Sequence, residues 1–306
     1  MKIDLPVDGP LDVDRTLARY RLWGEDPANR LAGDAFLRVL ALPDRLLPYE
    51  VRWRGGVEDV RLSVRVPGAR GEAVAAAVTA EVRALFGLDV DLPGFYRMAK
   101  ADPALAEIVE RLHGLRPTVT PRGLEMLVGS ITAQQVNLAF AFALRARVVR
   151  RYGTPCAIGR EVVWAFPTPA ALASARLRDL RTMQFSERKA EYIRDLARAV
   201  ADGVLDPDGL RQATSAEVIE RLTAMRGLGR WTADWFLARC AGRGDACPAG
   251  DLAVRKAFDH YYGRGRALSE EAIRRRARAW GACQGLAVHY LLAGMRLGRP
   301  SVGGGT

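Results

Sequence analysis

Residues 222–236 of the chain, LTAMRGLGRWTADWF, place Gly227 and Gly229 between two stretches of helical periodicity. Glycine permits the backbone angles and the close approach that a tight turn between helices requires. At the start of the second helix, the free N–H groups of Gly229 and its neighbours form a site suited to an anion such as a phosphate. The run therefore predicts a helical hairpin with an anion site, with a purely structural turn as the alternative.

A second run, PAGDLAVRKAF at residues 248–258, begins shortly after this hairpin and places Asp251 at the head of a further helix. One interpretation is a helix cap, in which the carboxylate accepts backbone N–H groups. The same position holds the carboxylate at the positive end of a helix, which suits a group that stabilises developing positive charge. We expect both descriptions to apply to Asp251.

The hairpin at Gly227-Leu228-Gly229, the helix after it and Asp251 resemble the helix-hairpin-helix and catalytic aspartate of the base-excision DNA glycosylases. The resemblance is closest to the alkylpurine branch, the 3-methyladenine DNA glycosylase II type, and is specific over residues 225–258. It implies a monofunctional enzyme that flips and excises alkylated purines from double-stranded DNA in base excision repair. In this role Asp251 would stabilise the oxocarbenium-like sugar and orient water.

Trp231 stands where the lyase members of this family carry the lysine that attacks the sugar. Because tryptophan cannot form a Schiff base, the resemblance implies a glycosylase without lyase activity. Trp231 and Trp235 match positions at which alkylpurine enzymes place the aromatic walls of the base pocket, whose electron-rich faces attract a cationic base. The alternative is a pair of core tryptophans at helical spacing.

A further segment, LVGSITAQQVN at residues 127–137, matches a family run that ends one helix and enters the next. The resemblance implies that Gln135 fills the gap left by the flipped nucleotide, and that Gln134 reaches the minor groove or the orphaned base. A pair of exposed helical glutamines is the alternative interpretation.

The resemblance also implies that the hairpin itself contacts DNA. The residues concerned are Gly227, Leu228, Gly229 and Arg230. Hairpins of this type often bind a monovalent cation, Na⁺ or K⁺, which would bridge to a DNA phosphate. Its ligands here would be the backbone carbonyls of Thr223, Met225 and Leu228.

The charge balance is consistent with a nucleic-acid partner. The chain has 46 Lys+Arg against 35 Asp+Glu, a formal net charge of +11, which suggests DNA or RNA binding, although a coding bias towards arginine has the same effect. Around the hairpin stand Arg221, Arg226, Arg230 and Arg239. A denser run at Arg274, Arg275, Arg276 and Arg278 has no assigned role and is interpreted as a solvated helix face.

Periodicity predicts an α+β N-terminal domain followed by an all-α helix-hairpin-helix glycosylase core. Apolar and polar residues alternate on both sides of Gly55-Gly56, which predicts an antiparallel hairpin, and residues 71–86 follow as a helix. From Leu105 onward the apolar period becomes helical. The expected boundaries are residues 1–94 for the first domain, 95–300 for the core and 301–306 for a flexible glycine-rich tail.

The sequence excludes several other classes of site. Four scattered cysteines are too few for a disulfide framework, and Cys240 and Cys247 lack the two nearby partners that an iron–sulfur cluster needs. No secretory leader and no apolar run of bilayer length is present, so a cytoplasmic monomer without membrane contact is expected.

Two other functions stay open: a glycosylase for oxidised or mismatched purines, and a non-catalytic helix-hairpin-helix DNA-binding protein, which needs neither Asp251 nor the paired tryptophans.

Overall fold

The computed structural model describes residues 1–297, so the predicted tail at 301–306 lies outside the described residues. The strands are β1 (Lys2–Leu5), β2 (Arg30–Ala32), β3 (Ala35–Ala41), β4 (Leu46–Arg54), β5 (Arg61–Arg65), β6 (Thr154–Ile158) and β7 (Glu161–Ala165). The helices are α1 (Val13–Leu17), α2 (Arg19–Leu22), α3 (Glu72–Phe86), α4 (Leu92–Ala99), α5 (Pro103–Arg111), α6 (Gly123–Ala133), α7 (Leu138–Tyr152), α8 (Pro169–Ala173), α9 (Leu177–Thr182), α10 (Glu187–Ala201), α11 (Ser215–Thr223), α12 (Arg230–Arg239), α13 (Leu252–Tyr262), α14 (Glu270–Arg278) and α15 (Gln284–Leu297), with short 3₁₀ turns at Gly209–Arg211 and Gly281–Cys283.

An antiparallel sheet in the order β1-β5-β4-β3-β2 forms the N-terminal part of the protein. The predicted hairpin is confirmed: β4 pairs with β5 across a turn in which Gly55 has a φ of 95°. One face of the sheet buries Phe36 and Tyr49 against α3, which contributes Val82 and Phe86. The alternation of apolar residues along the strands is what allows this one-sided burial.

The helices that follow the sheet form two packed halves. The first half is built from α6 to α12 around a core that includes Phe236. The second is built from α4, α5 and α13 to α15, and Trp235 packs against its core. Neighbouring residues of α12 face different halves, so this helix lies between the two. The chain passes from the first half to the second in the loop that follows α12. Asp251 begins α13 at the far end of the crossing and therefore lies at the junction.

The expectation that the chain is all-helical from Leu105 onward is wrong at one place, where β6 and β7 form an antiparallel hairpin. Its apolar residues Ile158 and Val163 pack against Leu37 and Val39 of the N-terminal sheet. The fold class predicted from the sequence is nevertheless confirmed: an N-terminal antiparallel sheet with helices precedes a helical core. Within residues 1–297, no helix has both the length and the apolar character needed to cross a membrane.

A buried ionic network joins the sheet to the first helical half. Glu125 of α6 accepts hydrogen bonds from Arg38 Nη2 of β3 at 2.6 Å and from Arg145 Nη2 of α7 at 2.7 Å. Arg145 also donates from Nε to Asp26 at 3.0 Å. All four side chains are buried. The network fixes α6 and α7 relative to each other, and with them the turn that carries Gln135.

Candidate active site

Asp251 caps the N-terminus of α13, as predicted. Its Oδ1 accepts the backbone N–H groups of Ala253 at 2.8 Å and Val254 at 3.1 Å. Two short turns in the preceding Pro-Ala-Gly loop lead the chain into this position, one of them closed by a bond from Asp251 N to Pro248 O at 3.0 Å. The helix cap therefore fixes one carboxylate oxygen and leaves Oδ2 directed away from the helix.

The two tryptophans of α12 converge on this second oxygen. Trp231 donates from Nε1 to Asp251 Oδ2 at 2.7 Å, and Trp235 donates to the same atom at 3.1 Å. Both side chains are partly exposed, so they are not simply core residues. An ionised carboxylate offers about four acceptor positions, and four N–H donors engage them here. The indole edges thus orient Asp251, a function that the sequence interpretation of aromatic pocket walls did not include.

The faces of the two indoles differ in what covers them. The guanidinium of Arg239 lies over the ring of Trp235, 5.7 Å from its centroid. Within residues 1–297, no aromatic ring or cation covers the ring of Trp231. Among the described residues, Trp231 thus has no aromatic or cationic stacking partner, whereas Trp235 has one.

The predicted hairpin joins α11 to α12. Gly227 has a φ of 89°, and a Cβ added there would lie 2.3 Å from the ring of Tyr192, so this position requires glycine. Gly229 is the N-cap of α12, with no side-chain cap and with open space around it. The N-terminal N–H groups of α12 are therefore accessible to an anion. The side chain of Leu228 is buried in the core, so only its backbone is placed to act at the turn.

The two glutamines have different environments. Gln134 donates from Nε2 to the carbonyl of Gly227 at 2.8 Å, which ties the α6–α7 turn to the hairpin. Gln135 is exposed at the tip of that turn, with a φ of 55° that non-glycine residues rarely adopt. Leu138, which sequence reasoning did not single out, is 41% exposed at the start of α7. Because Leu138 follows Gln135 by only three residues, the sequence could have suggested that it is exposed on the same turn.

Some arginines of the positive runs lie elsewhere than the sequence analysis placed them. Arg239 does not extend along the hairpin surface: it donates from Nη2 to Nδ1 of His289, 2.6 Å away and 50 residues later in the chain. Arg274 is not solvated, since it donates to the buried carboxylate of Asp234 at 2.7 Å. Arg276 donates to the buried Asp102 at 2.9 Å. The side chains of Arg275, Arg276 and Arg278 are exposed as expected, although Arg276 also reaches this buried carboxylate.

Arg230, Cys240 and Cys247 complete the set of predicted positions. Arg230 is exposed beside the hairpin and donates from Nε to Asp234 at 2.8 Å, which orients it along the outside of α12. Cys240 and Cys247 are buried, and burial raises the pKa of their thiols to about 12 and about 11 respectively. Such thiols remain protonated and unreactive at neutral pH.

This arrangement agrees with what the chain resembles among known proteins. Residues 128–283 match the model of the HhH-GPD superfamily base excision DNA repair proteins. The chain belongs to this family. It is 32% identical over 206 residues to the DNA-3-methyladenine glycosylase of Bacillus subtilis, covering 67% of this chain and 68% of that protein. It is 30% identical over 212 residues to DNA-3-methyladenine glycosylase 2 of Escherichia coli, covering 68% of each.

A solved structure gives the same result for the fold. The 3-methyladenine DNA-glycosylase from Archaeoglobus fulgidus superposes with a TM-score of 0.84 at 24% identity, covering 95% of this chain and 97% of that one. The family and fold class predicted from the sequence are thus confirmed, and the chain is a DNA glycosylase.

Proposed function

We propose that this DNA glycosylase excises alkylated purines of the 3-methyladenine and 7-methylguanine type by hydrolysis, without a lyase step. The observation that carries the proposal is the convergence of Trp231 and Trp235 on Asp251 directly after the hairpin. The sequence similarity to the Bacillus and Escherichia enzymes, both named for 3-methyladenine, supports the substrate class. The partner would be double-stranded DNA, bound by a monomer.

Asp251 would act through its negative charge. An N3- or N7-alkylated purine is cationic and leaves readily, so the reaction mainly requires stabilisation of the oxocarbenium-like sugar. A carboxylate held by four N–H donors is suited to this, because its position and charge are fixed before the sugar develops positive charge. If Asp251 also orients the attacking water, this water would have to bind Oδ2, the oxygen that already accepts both indole N–H groups.

DNA would be held on both sides of this carboxylate. The open N-terminus of α12 at Gly229 would bind a phosphate, with Arg230 beside it. Gln135, exposed at the tip of its turn, would enter the space left by the flipped nucleotide. Gln134 would support this contact by connecting the turn to the hairpin rather than by touching the base.

The hairpin also fits the monovalent cation that its type often binds. Leu228 N donates to Met225 O at 3.1 Å, closing a tight turn around Gly227. A carbonyl has two lone pairs, so Met225 O can still act as a ligand together with the carbonyls of Thr223 and Leu228. Carbonyl oxygens are hard ligands suited to Na⁺ or K⁺. When bound, the cation would supply positive charge beside a DNA phosphate.

The substitution Asp251→Asn tests the catalytic assignment. We expect it to abolish release of 3-methyladenine and 7-methylguanine from methylated duplex DNA under single-turnover conditions, while DNA binding is retained. The matched control is Asp245→Asn, the same change at an exposed position in the preceding loop, which should leave release unchanged. A fully active Asp251→Asn enzyme would overturn the assignment, and a wild-type protein that binds DNA without releasing either base would overturn the function.

Borohydride trapping tests the absence of a lyase step. An enzyme that forms a Schiff base with an abasic site becomes covalently linked to DNA in this assay. Trp231 supplies no amine, and Lys189 is engaged with the carbonyl of Thr132 at 3.0 Å, so we expect no crosslink. Any crosslink would show that the enzyme is bifunctional, and its loss in Lys189→Met would identify Lys189 as the amine.

A further inference from the structure

The loop that leads to Asp251 is attached to α12 at two places. At one of them, the carboxylate of Asp251 accepts the indole N–H groups of the two tryptophans of α12. At the other, Arg274 of α14 donates from Nη1 to the carbonyl of Cys247 at 3.1 Å and from Nη2 to Oδ2 of Asp234 at 2.7 Å. Because Asp234 belongs to α12, this one guanidinium joins the helix to the loop four residues before Asp251.

Asp234 is the fixed point of this second attachment. Its side chain is buried on α12, at the residue before Trp235, and each of its two oxygens accepts from an arginine. Oδ1 accepts from Arg230 Nε at 2.8 Å, and Oδ2 accepts from Arg274. Hydrogen bonds between a guanidinium and a carboxylate are stronger than neutral ones, and burial strengthens them further. Asp234 therefore holds Arg274 in one orientation, with the other arm of the guanidinium directed at the loop.

Glu270 supports the same arrangement from the start of α14. Its Oε1 accepts from Arg274 Nε at 3.1 Å and from Nη2 at 2.8 Å. Its other oxygen lies against the loop, 3.3 Å from the position that a Cβ of Gly250 would occupy. The first turn of α14 therefore contacts the loop at the residue directly before Asp251.

Between Cys247 and Asp251 the loop has little freedom to move. The carbonyl of Cys247 also accepts from Ala249 N at 2.8 Å, and Asp251 N donates to Pro248 O at 3.0 Å. Because these two short turns connect the Cys247 carbonyl to Asp251, a displacement of the first is transmitted to the second. Catalytic groups must stand within about 0.5 Å of their productive position, so a small displacement at Cys247 is sufficient to disturb the reaction.

We propose that Asp234 and Arg274 are positioning residues for catalysis. Asp234 orients the guanidinium, the guanidinium holds the loop of residues 247–250 against α12, and the loop places Asp251 at the sugar of the flipped nucleotide. The tryptophans fix the direction of the carboxylate, whereas Arg274 fixes the backbone from which it extends. The proposal rests on the proposed function, because it concerns how the same Asp251 is placed.

Arg274→Lys tests the proposal by keeping the charge and removing the planar fork. One ammonium cannot reproduce the geometry with which the guanidinium spans Asp234 and the Cys247 carbonyl. We expect single-turnover release of 7-methylguanine at saturating enzyme to slow by about 10- to 100-fold, the effect of misplacing a catalytic group by about 1 Å. The dissociation constant for a duplex with an abasic-site analogue should change by less than about threefold, because no residue proposed to contact DNA is altered. Release at the wild-type rate would overturn the proposal.

Asp234→Asn is a second variant, which keeps the shape of the side chain and one acceptor oxygen but removes the charge. It serves if Arg274→Lys does not fold, and we expect release at saturating enzyme to slow by about tenfold. A rate equal to that of the wild type would show that Asp234 does not position the loop. Arg275→Gln, on the same helix and paired with an exposed glutamate, is the matched control and should leave both rate and DNA binding unchanged.

Tryptophan resonances separate positioning from a general loss of stability. The indole N–H groups of Trp231 and Trp235 report directly on Asp251 Oδ2, and their signals in protein with isotope-labelled tryptophan can be assigned from the corresponding phenylalanine variants. We expect Arg274→Lys to shift both signals and to leave that of Trp53, in the N-terminal sheet, in place. Slow release with both signals unmoved would contradict positioning. This readout needs no base release, so it stays valid even if the wild-type enzyme releases no alkylated base and the proposed function itself fails.

Discussion

Arginines withdrawn from solvent occur in two settings in this protein, and the settings differ in what faces the guanidinium. Arg38 and Arg145, where the sheet meets the helices, share the carboxylate of Glu125 at 2.6 and 2.7 Å. Arg239, the last residue of α12, instead faces the ring of His289 and lies near the charges of Arg19 and Arg296. Glu125 compensates the first pair of charges, whereas within residues 1–297 no carboxylate forms an ion pair with Arg239.

The difference predicts that the two sets of arginines contribute differently to the stability of the fold. A charge taken out of water is tolerated when a partner compensates its desolvation, and breaking such a pair strands the remaining charge. An uncompensated cation opposes folding unless something else supplies the acceptor. Buried charges without a compensating partner are expected more often at functional sites than elsewhere in a protein.

The largest effect is expected from Glu125→Gln, which breaks the compensated network. The variant leaves Arg38 and Arg145 without their shared negative charge, and the free energy of unfolding should fall by about 3–5 kcal/mol. Urea denaturation followed by tryptophan fluorescence measures this. Glu271→Gln, in an exposed pair with Arg275, is the control and should cause no measurable change. A loss below about 1 kcal/mol for Glu125→Gln would remove the distinction between the two settings.

The pH dependence of stability tests the same network. Burial alone would raise the pKa of Glu125, but the charges of Arg38 and Arg145 outweigh it and hold that pKa well below its usual range. A carboxyl whose pKa is lowered by folding contributes stability above its unfolded pKa and loses it as the pH falls towards the folded value. The difference in unfolding free energy between wild type and Glu125→Gln should therefore be greatest near pH 7 and shrink below about pH 4.5. A difference that grows in acid would contradict this.

A smaller contrast lies within α14, whose arginines looked alike in the sequence. Arg274 reaches the buried Asp234 and the carbonyl of Cys247, whereas Arg275 pairs only with an exposed glutamate. Arg274→Gln should therefore lower the free energy of unfolding by about 1.5–3 kcal/mol, the range for hydrogen bonds to charged groups. Arg275→Gln is the matched control in the same denaturation experiment, and equal effects of the two would disprove the assignment.

These contrasts show what could be predicted from the sequence. The Gly227 hairpin, the cap at Asp251 and the strands around Gly55 depend on neighbouring residues, so local patterns were sufficient. The partners of Arg239 and Arg274 were not predictable, because His289 and Asp234 lie 50 and 40 residues away in the chain. Which side chains meet at such separations depends on how the helices pack, and nothing in a charge run distinguishes a solvated arginine from a buried one.

The same reason applies to two other features. The hairpin at residues 154–165 consists of two five-residue strands, and its apolar residues are explained by the distant sheet on which they pack. The functional role of the tryptophans was implied by the family resemblance, which suggested their ring faces as the functional surface, whereas their spacing alone favoured a place in the core. That both indole N–H groups meet at one carboxylate oxygen depends on how α12 and α13 pack together, which residue spacing does not specify.

The smallest change in the free energy of unfolding is expected for a substitution of Arg239. The sign of this change distinguishes the setting of Arg239 most clearly from that of Arg38 and Arg145. Arg239→Met gives up one hydrogen bond to His289 and the contact with Trp235, but it also removes a cation that pairs with no carboxylate in the described part of the chain. These contributions oppose each other, so the free energy of unfolding should stay within about 1 kcal/mol of the wild-type value or rise. A loss as large as that of Glu125→Gln would place Arg239 with the arginines that hold the fold.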